Sequence, residues 1–428
     1  MLNIPIIRIN GEDEYKFLDK LRQNNNDINA NVESIVSEII KNVRENGDSA
    51  ISEYTKKFDK VNLQNFEILP EKIYEAYNRS NIKDQLTRAA KNITQFHEKQ
   101  RQNGFMMTKE KGVILGQKVL PIEKVGVYVP GGTAAYPSSV LMNVLPAKVA
   151  GVENIIMVTP PNAQGVVNDD ILAAAYISGI KKVYSIGGAQ AIAGLAYGTN
   201  QLPKVDKIVG PGNIYVATAK KMLFGTVDID MIAGPSEILI IADEHADAAY
   251  ISADMISQAE HDILASSTLI CFCEKQAQKV IEMLEKQLEK LPRKDIILQS
   301  LNKNAAIFLC DEINKAIEFS NFIAPEHLEI MMQNPFDYLD KIKNAGSIFL
   351  GYYTPEPLGD YFAGPNHVLP TSGTARFFSP LSVDAFVKKS SYIYYTKDAL
   401  NDAKDDIIDI AHMENLDGHA NAVKIRFE

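Results

Sequence analysis

The chain has 428 residues, 46% of them hydrophobic and 23% charged, and its net charge is −10. These values are ordinary for a globular protein, and they exclude a disordered, collagen-like or coiled-coil chain. No run of like charges is long enough for a nucleic-acid tail, so we expect no nucleic-acid partner.

The sequence also predicts a cytoplasmic protein with no membrane partner. Its first residues lack the charged leader, long apolar stretch and cleavage site of a signal peptide. Three cysteines are an odd and sparse set, which favours a reducing compartment over a disulfide framework. Two uncharged runs, 125–147 and 183–203, contain too many glycines and prolines for a membrane span.

Amphipathic, charged helices are predicted first along the chain, at 32–57 and 71–101. The region 125–241 is different, because it has only 14 charged residues in 117. Apolar strand patterns at 125–130, 154–159, 182–187 and 207–210 alternate there with helical patterns at 138–150, 170–177 and 189–197. Strands that are apolar on both faces and separated by helices are typical of a parallel sheet wound on both sides.

The same alternation resumes after Pro235. Strands are predicted at 237–242, 267–273, 305–310 and 346–351, helices at 246–261 and 275–291, and a charged helical tail from 398. We expect the early helices to pack on this second unit, with the central region inserted into it. The predicted fold class is α/β, with two incomplete Rossmann-like, doubly wound parallel domains, an extended N-terminal arm and a helical C-terminal tail. The predicted divisions are 1–28 for the arm, 29–124 with 237–374 for one domain, 125–236 for the inserted domain and 375–428 for the tail.

Three glycine turns follow predicted strands of the central region. They are Pro130-Gly131-Gly132, Gly187-Gly188-Ala189-Gln190 and Gly210-Pro211-Gly212-Asn213. Such turns let the backbone approach a ligand and present N–H groups at a helix N-terminus. Each one alone also fits an ordinary turn. Together, at the carboxyl ends of parallel strands, they predict a ligand site.

Two pairs of residues could carry chemistry. Gln258 and His261 are spaced i, i+3 on a predicted helix, which suits two ligands of one metal ion but also fits polar surface residues. Glu326 and His327 follow Pro325 in a pattern typical of a helix start. They could supply two proton-transfer groups of different pKa, although simple helix capping explains the pattern as well.

Two further segments carry histidines among turn-forming residues. The segment 359–374 is dense in glycine and proline and contains Asp360 and His367, which indicates either a functional loop or an ordinary structured one. The tail contains Glu414 and His419, and a capped helix end is the alternative interpretation there. Four of the seven histidines of the chain lie in these four segments.

Taken in order, the motifs resemble the L-histidinol dehydrogenase family over nearly the whole chain. The resemblance is carried by Tyr128-Val-Pro-Gly-Gly-Thr-Ala-Ala-Tyr-Pro-Ser-Ser, Gly187-Gly-Ala-Gln-Ala-Ile-Ala, Gly210-Pro-Gly-Asn, Ala233-Gly-Pro-Ser-Glu, Gln258-Ala-Glu-His-Asp, Pro325-Glu-His-Leu-Glu, Gly359-Asp-Tyr and Gly364-Pro-Asn-His-Val-Leu-Pro-Thr. The family oxidises L-histidinol to L-histidine through L-histidinal with two NAD⁺, at the end of histidine biosynthesis.

The resemblance implies a role for each matching position. The implied ligands of one zinc ion per subunit are Gln258, His261, Asp360 and His419. The implied catalytic pair is Glu326 and His327; substrate contacts are these zinc ligands with Ser236, His327, His367 and Glu414; NAD⁺ contacts are Tyr128, Gln190 and Asn213. It follows that 125–236 is the NAD-binding domain and that 29–124 with 237–374 is the zinc and substrate domain.

The resemblance further implies a homodimer whose tail reaches the partner's active site. One departure lies in that tail, where Asn415 follows Glu414 and the family often has glycine. Asparagine tolerates left-handed backbone, so the change puts little in doubt.

Three other functions remain open from the sequence. A related zinc alcohol dehydrogenase could act on a different small polar alcohol. A zinc hydrolase could use the same ligands with a glutamate to activate water, but it leaves the glycine turns unexplained. A protein that only senses NAD or metal has no need of Glu326 and His327.

Overall fold

Three sheets organise the residues that the computed structural model describes, which are 2–26, 29–131 and 135–428. Residues 132–134, with Gly132 of the first predicted glycine turn, and residues 1, 27 and 28 of the predicted arm lie outside these ranges. The helices are α1 (Asp13–Asn26), α2 (Asn29–Asn46), α3 (Asp48–Phe58), α4 (Pro70–Arg79), α5 (Lys83–Glu98), α6 (Pro137–Ala150), α7 (Asp169–Ile177), α8 (Gly188–Tyr197), α9 (Ile214–Leu223), α10 (Ala248–Ala259), α11 (Glu274–Leu288), α12 (Lys294–Asn304), α13 (Ile313–Ile323), α14 (Glu356–Tyr361), α15 (Lys397–Met413) and α16 (Asp417–Lys424). The strands are β1 (Ile6–Arg8), β2 (Glu67–Ile68), β3 (Phe105–Thr108), β4 (Val113–Pro121), β5 (Lys124–Tyr128), β6 (Asn154–Val158), β7 (Lys182–Tyr184), β8 (Lys207–Val209), β9 (Asp228–Ile229), β10 (Glu237–Ala242), β11 (Ser266–Cys271), β12 (Ala305–Leu309), β13 (His327–Met331), β14 (Ser347–Leu350) and β15 (Val387–Tyr395).

The four predicted strands of the central region form β5, β6, β7 and β8 of sheet 1, whose outer strands β2 and β9 were not predicted. Its order is β2-β7-β6-β5-β8-β9, and its strands run parallel except for β2, which pairs antiparallel with β7. The helices α6, α7 and α8 connect its strands as the alternation predicted, whereas α9 was not predicted. The sites of the three glycine turns therefore follow β5, β7 and β8 at one edge of this sheet.

The N-terminal helices cover sheet 1, so the prediction that they pack on the second unit is wrong. Helix α2 packs against α8 and α9, α4 against α7, and α5 against α6 and α7. Helix α8 thus lies between the sheet and an outer helical layer, and all its residues from Ala189 to Ala196 are buried. This outer layer is the physical reason for the low charge density of 125–241, because the central helices have little surface to expose to water. The exact domain boundaries stay a prediction.

Sheet 2 has the order β1-β12-β11-β10-β13-β14, and all its pairings are parallel. Its first strand comes from the N-terminal segment, where Ile6–Arg8 pairs with β12. Leu18 of α1 is buried in the same core as Leu239 and Ile330 of this sheet. The predicted extended arm is therefore corrected, because this segment is an edge strand and a helix of the second layer.

The segment around Glu326 and His327 begins a strand, although its pattern predicted a helix start. His327–Met331 forms β13, which is hydrogen-bonded between β10 and β14, and all five residues are buried. Pairing on both sides and the burial of Leu328 and Ile330 outweigh the local helix signal of a proline followed by a glutamate.

A third, antiparallel sheet joins the tail to the body of the protein. Its order is β15-β4-β3, and β15 pairs with β4 over nine residues, from Val387 opposite Pro121 to Tyr395 opposite Val113. The helices α15 and α16 follow β15 and pack against each other. Among the described residues, no helix has both the length and the apolar character needed to cross a membrane.

Candidate active site

The predicted acid–base pair lies at the amino edge of sheet 2. His327 opens β13 in register with Ile238 of β10, and both Glu326 and His327 bind the backbone of Glu237. The N–H of Glu237 donates to Oε2 of Glu326 at 2.8 Å, and Nδ1 of His327 donates to the carbonyl oxygen of Glu237 at 3.0 Å. Ser236 immediately precedes β10, so it lies at the same edge.

The geometry leaves His327 as a neutral base. Since Nδ1 faces a carbonyl oxygen, it carries the ring proton, and Nε2 has no hydrogen-bond partner within the described residues. Burial lowers the pKa of His327 to about 3 and raises the pKa of Glu326 well above its usual value. The two neighbours thus offer a free imidazole lone pair and a carboxyl group that holds a proton more readily than in water.

A cluster of metal-ligating side chains lies beside this pair. His261, Glu356 and Asp360 place one ligand atom each within 4.8 Å of one another. Gln258 is fully buried, and neither atom of its amide has a partner among the described residues. One imidazole nitrogen and carboxylate oxygens form a donor set that fits a divalent cation such as zinc, and the unpaired amide of Gln258 is the candidate for a further ligand. Helix α10 ends at Ala259, so Gln258 lies in its last turn and His261 two residues beyond it.

Glu356 is a member of this cluster that the sequence analysis missed. Its Oε2 accepts a hydrogen bond from Oγ of Ser257 at 3.2 Å, and its Oε1 lies 3.7 Å from Nε2 of His327. Burial, together with the charge of Asp360, raises the pKa of Glu356 to about 8. The signal in the sequence was the i, i+4 spacing of Glu356 and Asp360, which puts both on one face of the short helix α14.

His367 connects the amino edge of sheet 2 with helix α6, which packs on sheet 1. Its Nδ1 donates to the carbonyl oxygen of Asp360 at 3.0 Å, and Oγ of Ser139 on α6 donates to its Nε2 at 3.4 Å. Burial lowers the pKa of His367 to about 4, which keeps the ring neutral. Ser139, at the start of α6, was also missed. The adjacent Asn366 donates to the carbonyl oxygen of Met142 on the same helix at 2.7 Å, so this loop is docked on sheet 1.

The predicted cofactor residues lie at the carboxyl edge of sheet 1. The hydroxyl oxygen of Tyr128 accepts a hydrogen bond from the N–H of Gly188 at 3.2 Å, and burial raises the pKa of Tyr128 to about 12. Gln190 is 1% exposed, and both of its amide atoms lack partners among the described residues. Asn213 caps α9 by accepting from two backbone N–H groups. A buried amide without partners beside a glycine-led helix N-terminus is the arrangement expected where a polar ligand binds.

The two tail residues lie apart from the cluster. Glu414 and His419 are exposed, and the group of close ligand atoms found among the described residues does not include His419. Asn415 has a φ of 59°, in the left-handed region that asparagine tolerates. Their place relative to the metal ligands therefore stays a prediction.

A family model described as histidinol dehydrogenase matches residues 21–427. The chain belongs to the histidinol dehydrogenase family. A histidinol dehydrogenase of Clostridium acetobutylicum is 57% identical over 427 residues, which cover 99% of each chain, and one of Bacillus cereus is 56% identical over 410 residues, 95% of each chain. The crystal structure of histidinol dehydrogenase from Elizabethkingia anophelis has a TM-score of 0.91 and 38% identity, covering 99% of this chain and 98% of that one. The family resemblance and the α/β fold class predicted from the sequence are thereby confirmed.

Proposed function

We propose that this protein oxidises L-histidinol to L-histidine through L-histidinal, in histidine biosynthesis, and transfers two hydrides to two molecules of NAD⁺. Membership of the family supports the reaction. The observation that carries the proposal is the pairing of a neutral His327, whose Nε2 is free, with Glu326 of raised pKa beside a cluster of ligand atoms.

His327 and Glu326 divide the proton transfers of the two oxidations. The first oxidation needs a base to take the alcohol proton, and the free Nε2 of His327 fits that role. The second needs water added to the aldehyde, because hydride leaves only from a tetrahedral carbon. Glu326 is the group that activates this water, and its bond to the N–H of Glu237 holds the carboxylate in place. A buried site retains the reactive aldehyde between the two steps.

One zinc ion per subunit is bound by Gln258, His261 and Asp360, with His419 as the fourth ligand. The unpaired amide of buried Gln258 supports this assignment, because a buried polar group without a partner is costly unless a ligand satisfies it. When bound, zinc supplies a Lewis acid that orients the substrate and has no redox role. Glu356 belongs to the same cluster, and its carboxylate lies within reach of the ligand atoms of His261 and Asp360.

NAD⁺ binds at the glycine turns of sheet 1, in contact with Tyr128, Gln190 and Asn213. The N-terminus of α8 favours the negative pyrophosphate, and the buried amide of Gln190 offers both a donor and an acceptor. Ser139 on α6 meets His367, so the carboxyl edge of sheet 1 approaches the amino edge of sheet 2 there. This is where the nicotinamide has to meet the substrate.

The active form is a cytoplasmic homodimer in which Glu414 and His419 serve the partner's site. Large apolar side chains stay exposed on the elements that would meet a second copy, and such patches mark interfaces. They include Met106 on β3, Ile393 on β15, and Ile410 and Met413 on α15, with exposed fractions of 69%, 74%, 62% and 84%.

A direct assay tests the reaction. Purified protein is mixed with NAD⁺ and L-histidinol, with and without a zinc chelator, and NADH and L-histidine are quantified. We expect two NADH for each L-histidine formed, and loss of activity on chelation. No NADH with L-histidinol, or hydrolysis of esters in its place, would contradict the proposal.

Mixed dimers test the shared site. Glu326→Gln and His419→Asn proteins are unfolded together and refolded, and mixed dimers are confirmed by mass spectrometry. Random pairing makes about half of the dimers mixed, each with one intact site, so roughly a quarter of wild-type activity returns. If the tail serves its own subunit, every site keeps a lesion and no activity returns.

A further inference from the structure

A buried ion pair lies directly behind the third glycine turn, the segment from Gly210 to Asn213. Lys220 on α9 contacts Asp230, which follows β9, and their side chains are only 4% and 1% exposed. None of the motifs that indicated function includes either residue.

The pair binds both backbone groups of Gly210, the first residue of the turn. The N–H of Gly210 donates to Oδ2 of Asp230 at 2.8 Å, and Nζ of Lys220 donates to the carbonyl oxygen of Gly210 at 3.0 Å. Oδ1 of Asp230 also accepts from the N–H of Met231 at 2.7 Å. Both charges are thus directed at the backbone of Gly210 as well as at each other.

Gly210 has a left-handed backbone conformation and lies close against the end of β5. Its φ is +114°, and a Cβ at this position would lie 2.0 Å from the carbonyl oxygen of Tyr128. The backbone of the turn therefore lies against a proposed cofactor residue. At its other end, Oδ1 of Asn213 accepts from the N–H groups of Tyr215 and Val216 at 3.1 and 3.2 Å. The turn thus runs from Gly210, which the ion pair binds beside Tyr128, to Asn213, which caps α9.

We propose that Lys220 and Asp230 are positioning residues for the nicotinamide cofactor: the pair holds the Gly210–Asn213 turn in the conformation that binds NAD⁺. The proposal rests on the cofactor site proposed above. Burying two charges is costly, and apolar residues often replace such a pair without loss of stability. A pair that satisfies both backbone groups of one buried turn residue has a role that apolar side chains cannot fill.

The same sheet provides a matched control pair. Nζ of Lys207 on β8 lies 2.8 Å from Oδ2 of Asp228 on β9; the lysine side chain is 8% exposed, as a match for Lys220, whereas that of Asp228 is 48% exposed. Lys207 opens β8, so it lies at the amino edge of sheet 1, away from the turn. Loss of either lysine removes a charge from an ion pair of this sheet, but only Lys220 binds the turn.

The test compares Lys220→Met with Lys207→Met in the full-length protein. NADH affinity is measured by fluorescence titration, alongside kcat at saturating NAD⁺, metal content and melting temperature. We expect the Kd for NADH to rise about tenfold or more in Lys220→Met and to stay within about twofold in Lys207→Met. Metal content and kcat should stay close to those of the wild type. Lys220→Arg, which keeps the charge, should recover part of the affinity.

A double variant covers the case in which Lys220→Met fails to fold. Lys220→Met with Asp230→Asn leaves no unpaired buried charge, and it should show the same weakened NADH binding. Wild-type affinity in either folded Lys220→Met protein would overturn the inference, and so would an equal loss in Lys207→Met. If wild-type protein itself does not bind NADH, the proposed cofactor site fails first, which is a different result from variants that bind as tightly as the wild type.

Discussion

Sheets 1 and 2 have the same strand order but use opposite edges. In each, the first strand of the unit is central, the next two extend to one side and the last two to the other, with a strand from the N-terminal region at the same end. Sheet 1 places its proposed cofactor residues at the carboxyl edge, after β5, β7 and β8. Sheet 2 places Glu326, His327 and Ser236 at the amino edge.

At the carboxyl edge of sheet 2, a carboxylate of the protein occupies the backbone N–H groups. Asp243 follows β10 and accepts from the N–H groups of His245, Ala246 and Gln333 and from the hydroxyl of Tyr352. A carboxylate of the protein thus takes the backbone N–H groups that an anionic ligand would otherwise bind. In sheet 1, the turn after β7 has Gly188 and the unpaired amide of Gln190 instead. The same strand order thus gives N–H groups that a carboxylate occupies in sheet 2 and a glycine-led turn beside an unpaired amide in sheet 1.

The difference between the two sheets is tested most strongly at His327, because we place the chemistry in sheet 2 alone. His327→Asn removes the base with the free Nε2, and we expect kcat for L-histidinol oxidation to fall by about 10²–10⁴. NADH affinity, measured by fluorescence titration, should not change, because sheet 1 is untouched. A variant that loses NADH binding along with activity would contradict the assignment of cofactor binding to sheet 1 and of the chemistry to sheet 2.

Metal loss should give the next largest effect. His261→Asn removes the only imidazole of the close cluster found among the described residues, and we expect metal content and activity to fall together, activity by about 10². Metal content is measured by mass spectrometry on protein purified without chelator. Full activity in a verified metal-free preparation would contradict the metal assignment.

The two half-reactions separate the roles of the acid–base pair. Glu326→Gln should slow histidinal oxidation by about 10–10², and histidinol oxidation less, because only the aldehyde step needs added water. Each half-reaction is followed separately through NADH formation. Equal losses in both would argue that Glu326 does not activate water.

The smallest effect concerns the carboxyl edge of sheet 2. Asp243→Ala removes the carboxylate that accepts from three backbone N–H groups, of which that of Ala246 keeps the carbonyl oxygen of residue 243. We expect a loss of about 1–3 kcal/mol in the free energy of unfolding. Since the edge takes no part in the chemistry, kcat should stay unchanged. Tyr352→Phe removes a single donor and is the milder control. A large loss of activity at wild-type stability would show that this edge has a function.

Much of the fold was predictable because both sheets are buried and parallel. Strands such as 237–242 and 125–130 are apolar on both faces, and the helices between them follow from the same alternation. The layer onto which the N-terminal helices pack was not predictable, because an amphipathic stripe shows that a helix is half-buried but not what covers it. The strand at His327 was missed because pairing with β10 and β14 is non-local.

The site was predictable where residues of one type recur in turn-rich segments. His261, His327 and His367 were found in this way, and the structure brings them to one edge. In the sequence, Glu356 was marked only by its spacing from Asp360, and Ser139 only by its position at the start of a helix. What they contact, His327 and His367, lies far away in the chain. The contribution proposed for Glu414 and His419 needs a second copy of the chain, which no local pattern specifies.

NADH titration of metal-free protein separates the two sheets, because we assign cofactor binding to sheet 1 and metal binding to sheet 2. Wild-type protein is stripped with a chelator, its metal content is verified, and the Kd for NADH is compared with that of metal-loaded protein. We expect the two values to agree within about twofold while activity is lost. A large loss of NADH affinity on metal removal would contradict the division of the site between the two sheets.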